Sequence, residues 1–166
     1  PRSQDVHAGY LPFTAENIVL QAFKFLGERY GWGHDYNGRD CTGFISEIYR
    51  TFGFVMPRNS GQQGNGRYGS NVRFDDNNST ADKLKVLQQA RVGDLIYLPG
   101  HVAMYLGESE GQPYIIHDVN GLSNRLPDDS FYTGTLNGVM VTPLLPLHST
   151  ADQTYLDRTY AIKSLR

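Results

Sequence analysis

Apolar residues recur at helical spacing twice in the first third of the chain and at strand spacing in its second half. Ala15, Ile18, Val19, Ala22, Phe23 and Leu26 repeat at i, i+3, i+4, i+7, i+8 and i+11, which predicts an amphipathic helix. Thr14 stands where its N-cap falls, Glu16 lies in the first turn, and Gly27 ends it. A second helix is expected over 40–52, with Gly53 and Pro57 closing it. Ile45, Ile48 and Phe52 share the helix face of Cys41. Between the two, Tyr30-Gly31-Trp32-Gly33-His34 and Gly38 predict a loop. Residues 59–79, rich in Gly, Asn, Ser and Gln, read as the longest irregular stretch, and a short helix follows over 81–90 with Ser79 or Thr80 as cap. Strands are expected at 94–98, 102–106, 114–117 and 139–142, with a turn at 107–113 and a loop at 119–136. A last short strand falls near 160–162, while residues 1–13 read as a linker or as an extended arm packed on the domain. Helices first and strands afterwards predict an α+β domain, with N-terminal helices packed on an antiparallel sheet.

Composition narrows this picture modestly. A chain of 166 residues is most simply one domain with a real core. The formal charge of −2 and the scattered basic residues offer no stripe for nucleic acid and no basic face for a membrane. No apolar run approaches the ~20 residues needed to span a bilayer. The single cysteine excludes an intrachain disulfide framework, and without a second thiol a disulfide-exchange role is weak.

That cysteine carries the chemistry. Cys41 lies in Asp40-Cys41-Thr42-Gly43-Phe44, where the glycine-rich loop becomes the second helix. Unpaired N–H groups and the positive end of the helix dipole there favour a thiolate. Its helical phase fits an inert buried thiol, which phase alone favours, and equally a nucleophile at the edge of a groove. His101, after Gly93-Asp94-Leu95-Ile96-Tyr97-Leu98-Pro99-Gly100, is a candidate base, and His117, closing Tyr114-Ile115-Ile116, a candidate orienting group. Each histidine taken alone is more readily a satisfied structural residue. His101, His117 and Asp118 are also metal-ligand types, but no pair of histidines has the spacing of a helical zinc site.

Taken in order, Tyr30-x-Trp32-Gly33, Asp40-Cys41-Thr42-Gly43-Phe44, Pro57-Arg58-Asn59-Ser60-x-Gln62, Gly93-Asp94-Leu95-Ile96, Gly100-His101-Val102-Ala103-Met104-Tyr105-Leu106-Gly107 and Ile116-His117 resemble the NlpC/p60 family of bacterial cell-wall cysteine peptidases. The resemblance spans about residues 14–118 and implies a compact papain-like fold over 14–166 and no cofactor or metal. It implies Cys41 as nucleophile, His101 as general base and then acid, and His117 as the third, orienting member. The Cys41 backbone N–H and the Tyr30 hydroxyl would hold the oxyanion, and Trp32 would form an aromatic wall. Asp40, Thr42 and Ser60 would line the substrate groove, with Asp40 meeting the free amine of an N-terminal L-alanine; Arg58 is expected to be structural or part of the rim. Two departures stand out: His34 occupies a position that is usually glycine, and Thr42 one that is usually serine. The implied reaction cleaves the γ-D-glutamyl–diamino acid bond of peptidoglycan stem peptides in the cell envelope. The Arg-Asn-Ser-x-Gln string points to the branch with upstream SH3-like modules, of which residues 1–13 would be the trailing end. A peptidoglycan-binding module that does not cleave, and a related cysteine acyltransferase or amidase, are the competing readings.

Overall fold

The computed structural model describes residues 6–166. Its centre is the second predicted helix, α2 (Cys41–Arg50), packed behind α1 (Ala15–Phe23) on one face of an antiparallel sheet. Asp40 caps α2 by accepting from the Gly43 N–H at 2.9 Å, and Thr14 caps α1 through the Asn17 N–H. Phe44, Ile45, Ile48 and Tyr49 of α2 are completely buried, as the apolar spacing requires. α1 stops three residues before Leu26, and the chain turns at Gly27, whose φ of +80° places it in the left-handed region.

The sheet is built from β1 (Ser70–Arg73), β2 (Leu95–Leu98), β3 (His101–Ser109), β4 (Gln112–Arg125), β5 (Phe131–Pro143), β6 (Leu147–Thr150), β7 (Gln153–Thr154) and β8 (Ala161–Ser164). The order runs β1-β8-β2-β3-β4-β6-β7, with β5 along the other edge of β4. β2 is buried on both faces, so its run Leu95-Ile96-Tyr97-Leu98 needs no polar alternation. Leu95, Tyr97, Val102, Met104 and Ile116 face α1 and α2. Ile96, Leu98, Ala103, Tyr105 and Ile115 face the opposite layer, where Leu87 of α4 (Thr80–Leu87) and Tyr155 and Leu156 of α5 (Tyr155–Arg158) complete a second core.

Several expectations are corrected. Residues 119–136 are no loop: β4 and β5 continue as a long ribbon in register from Gly121↔Thr135 to Arg125↔Phe131, after a bulge between Val119 and Gly121, with β6 paired to β4 at Ser123 and Asn124. The irregular stretch 59–79 contains α3 (Ser60–Asn65) and the edge strand β1. The fourth helix ends at Leu87 instead of residue 90. The last strand, β8, sits between β1 and β2 and is thus central. Of the N-terminal arm, residues 1–5 lie outside the described residues. Leu11 donates its N–H to Thr51 O at 2.9 Å, and the Phe13 ring lies 5.0–5.9 Å from those of Tyr49, Phe52 and Phe54, so residues 11–13 pack on the domain. Among the described residues, no helix is long and apolar enough to cross a membrane.

Candidate active site

A cavity of about 360 Å³ opens at the N-terminus of α2. Trp32, Asp40, Cys41, Thr42, Ser60 and Gly100 line it, together with Arg58. Trp32 stands exposed on a pair of tight turns (Trp32–Asn37) and is free to form a wall. Gly100, with φ +78°, turns β2 into β3 and puts His101 at the first position of that strand. His101 Nε2 lies 3.1 Å from His117 Nδ1, and His117 Nε2 lies 3.0 Å from Thr142 Oγ1. Cys41, 8% exposed, has the backbone N–H groups of Val102 and Thr42 against its sulfur. Val102 follows His101 directly, so the thiol abuts the strand that carries the imidazole.

Burial dominates the electrostatics. It pushes the Cys41 thiol up to about 11, reinforced by the charges of Asp40 and Asp118 and opposed by the two N–H groups. The thiolate expected from the helix end alone is therefore not the resting form, because desolvation outweighs the dipole. Burial also takes His101 down to about 4 and His117 further below its ordinary value. At rest Cys41 is thus a thiol and both imidazoles are neutral. Burial and the nearby Cys41 and Asp40 raise the Tyr30 phenol to about 12, so it remains a donor.

Arg58 lies at the cavity rim and braces the cap of α2. Its Nη2 donates to Asp40 Oδ2 at 2.5 Å, and its Nη1 to Thr42 Oγ1 at 2.6 Å and Asp40 Oδ1 at 3.2 Å. This two-pronged contact, with the Gly43 N–H and the Thr42 hydroxyl, keeps the Asp40 carboxylate below its ordinary range even though burial pushes the other way. Thr42 thus uses its hydroxyl to tie the cap to the cavity rim. Thr142 was missed, and Asp118 was singled out only as a metal-ligand type. Thr142 continues the histidine relay from β5, and Asp118 is buried beside the site with neither oxygen hydrogen-bonded. Only the 139–142 strand pattern hinted at the first; a lone acid after His117 carried no local signal for the second. His34 lies outside the cavity lining: with φ +72° its ring rests near Gly43, where an added Cβ would meet Nε2 at 3.1 Å.

A helix-borne cysteine against an antiparallel sheet that presents a histidine pair defines an α+β, papain-like fold. The family model of NlpC/P60 matches residues 27–141, and the chain belongs to the NlpC/P60 family. It is 31% identical over 103 residues to a gamma-D-glutamyl-L-lysine dipeptidyl-peptidase of Bacillus subtilis, covering 57% of this chain and 30% of that protein. It therefore spans about a third of the length of the curated relatives it matches. Among solved structures it is similar to an NlpC/P60 endopeptidase from Photobacterium damselae, with a TM-score of 0.68 and 19% identity over 90% of this chain and 38% of that one. It is also similar to RipD of Mycobacterium tuberculosis, described as a non-catalytic NlpC/p60 protein adapted to peptidoglycan binding. There the TM-score is 0.54 and the identity 20%, covering 92% of this chain and 97% of the other.

Proposed function

We propose that this chain is a cysteine peptidase that hydrolyses the γ-D-glutamyl–diamino acid amide bond of peptidoglycan stem peptides. One observation carries the reading: the relay from His101 through His117 to Thr142, at 3.1 and 3.0 Å, beside a cysteine that opens into a cavity. Only one proton arrangement makes that relay productive. His117 donates from Nε2 to Thr142 and accepts at Nδ1 from His101 Nε2–H, which leaves the His101 Nδ1 lone pair for the thiol. As the Cys41 sulfur attacks the carbonyl carbon, its proton passes to Nδ1. The Cys41 N–H and the Tyr30 hydroxyl stabilise the oxyanion. His101 then protonates the departing amine as the C–N bond breaks. A water, deprotonated by the same imidazole, attacks the thioester and releases the acyl product and the thiol.

The acyl half sits in the Cys41 cavity, along Asp40, Thr42 and Ser60. Asp40 Oδ2 accepts the Gly33 N–H at 3.4 Å, its longest contact, and this is the position a substrate ammonium would take over. On this reading the protein works in the cell envelope, and upstream SH3-like modules would add to its selectivity. The test is incubation with L-Ala-γ-D-Glu-diaminopimelate, free and N-acetylated, with products identified by mass, beside Cys41→Ala. Release of diaminopimelate from the free peptide alone, and none with Cys41→Ala, supports peptidase and anchor together. Cleavage of both peptides removes the anchoring role of Asp40, and cleavage of neither removes the reading.

The raised thiol favours one competitor, a peptidoglycan-binding module that does not cleave. Alkylation by iodoacetamide separates the two. Loss of the Cys41 rate in His101→Ala marks an activated thiol, and an unchanged slow rate marks a silent one.

A further inference from the structure

A second cavity, of about 590 Å³, opens on the other side of the β2–β3 turn. Leu98 and Pro99 line it, while Gly100, next along the same turn, lines the Cys41 cavity. Tyr155 links this cavity to the two imidazoles. Its ring centroid lies 5.9 Å from that of His101 and 6.1 Å from that of His117, and the same residue lines the second cavity. Amide cleavage between Cys41 and His101 sends the acyl half one way and the amine half the other, with the imidazole between them. The Cys41 cavity takes the acyl half, so the second cavity is placed for the leaving group.

Its lining tells which leaving group it suits. No carboxylate lines it, whereas Arg158, His148 and the bonded hydroxyl pair Ser123–Thr133 do. Arg39, Arg58, Arg125 and Arg166 each pair with an acid; among the described residues Arg158 has no ion pair. His148 Nδ1 lies 3.2 Å from Thr150 O and must donate there, which leaves Nε2 as the free polar atom of the ring. We propose that this cavity is the leaving-group subsite and selects an amine half with a free carboxylate, bound by Arg158, while His148 Nε2 hydrogen-bonds the same ligand. The inference rests on the peptidase reading above and adds its acceptor-side specificity.

The experiment compares kcat/KM for L-Ala-γ-D-Glu-L-Lys, its carboxamide, and L-Ala-γ-D-Glu-L-Lys-D-Ala in the wild type, Arg158→Gln and Arg158→Lys. A hydrogen bond between charged groups corresponds to a preference of about tenfold or more for a free carboxylate over the amide. That preference should collapse in Arg158→Gln through KM and survive in part in Arg158→Lys. Preference for the tripeptide places the recognised carboxylate on the diamino acid; preference for the tetrapeptide places it one residue further. Thr135→Asp, on the ribbon wall and away from α5, should lower the same preference by adding a like charge. No preference in the wild type, or equal losses on acid and amide in Arg158→Gln, overturns the proposal. Titrating the dipeptide L-Lys-D-Ala while following the Gly121, Gly134 and Thr135 amides by NMR needs no turnover. Shifts in the wild type that vanish in Arg158→Gln, with no peptide cleaved, would retain the subsite and remove the peptidase. Cleavage without those shifts and without Arg158 dependence would do the reverse.

Discussion

Replacing Asp118 with asparagine should flatten the dependence of stability on pH. Asp118 is 1% exposed, neither of its oxygens has a partner, and its neighbours Glu28 and Asp40 repel its charge while Arg39 only partly offsets them. Burial, followed by those two acids, lifts the carboxyl from its ordinary 3.8 to about 7. The folded chain therefore holds this proton more tightly than the unfolded chain does. Asp118 is harmless below the ordinary value, destabilises increasingly as pH rises towards about 7, and exerts its full effect above that. At about 1.4 kcal/mol per pH unit the loss amounts to about 4 kcal/mol, an upper bound because small movements that admit water would relieve it. Urea unfolding of wild type and Asp118→Asn at intervals from pH 4 to 8 isolates this group, since every other titration is common to both. The stability of the variant relative to wild type should rise by about 2–4 kcal/mol across that range. A difference that stays constant with pH would refute the buried, unpartnered carboxyl, whatever its sign, because an offset from packing does not titrate. The same substitution removes a negative charge that raises the Cys41 thiol, so alkylation of Cys41 at pH 8 should quicken.

His101→Ala should lower kcat by about 10²–10⁴-fold, with His117→Ala costing less and Thr142→Val least; a Thr142→Val loss as large as that of His101→Ala would mean that the relay does more than orient. The acid limb of kcat/KM, which follows neutral His101 in the free protein, should fall near pH 4, well below the ordinary histidine value of 6.5. A limb at the ordinary value would show a solvated imidazole. Gly64→Ala would drive a Cβ into the Tyr160 hydroxyl and set it 2.9 Å from the Tyr97 ring, so it should destabilise by about 1–3 kcal/mol, read as a lowered Tm.

Wherever one face of an element is core and the other solvent, the sequence was readable. α2, with its cap at Asp40 and its apolar stripe, and β2 to β4 as far as His117 follow from spacing alone. The ribbon beyond Val119 was not readable, because it has no core face: residues 120–125 are exposed or half-buried throughout, so no alternation marks them. α3 was hidden for a different reason, since part of what it buries is polar. Gln63 is completely buried, donating to Pro57 O at 2.8 Å, and composition reads such residues as loop. At the site, the cysteine, both histidines and the lining residues were legible as strings. Their electrostatics were not, because a helix end can be read locally while desolvation depends on everything packed around it.

The C-terminal segment, which carried no recognisable signal, turns out to hold both sides of the site. Lys163 of β8 is completely buried, with Nζ donating to Gln63 O at 2.6 Å and Gly66 O at 2.8 Å and standing 4.0 Å from the centre of the Tyr68 ring. A buried ammonium is tolerated only when its donors are satisfied, and here the carbonyls at the end of α3 satisfy it. Tyr160 adds a hydrogen bond to Ser60 O at 3.3 Å, so the segment pins α3 at both ends, and with it the hydroxyl on the acyl side of the cavity. Tyr155, five residues earlier, packs against both imidazoles. An interior strand of the sheet and a single turn of helix thus brace α3 and the two imidazoles. Neither element contributes Cys41, His101 or His117, which is why the strings around those residues end before them.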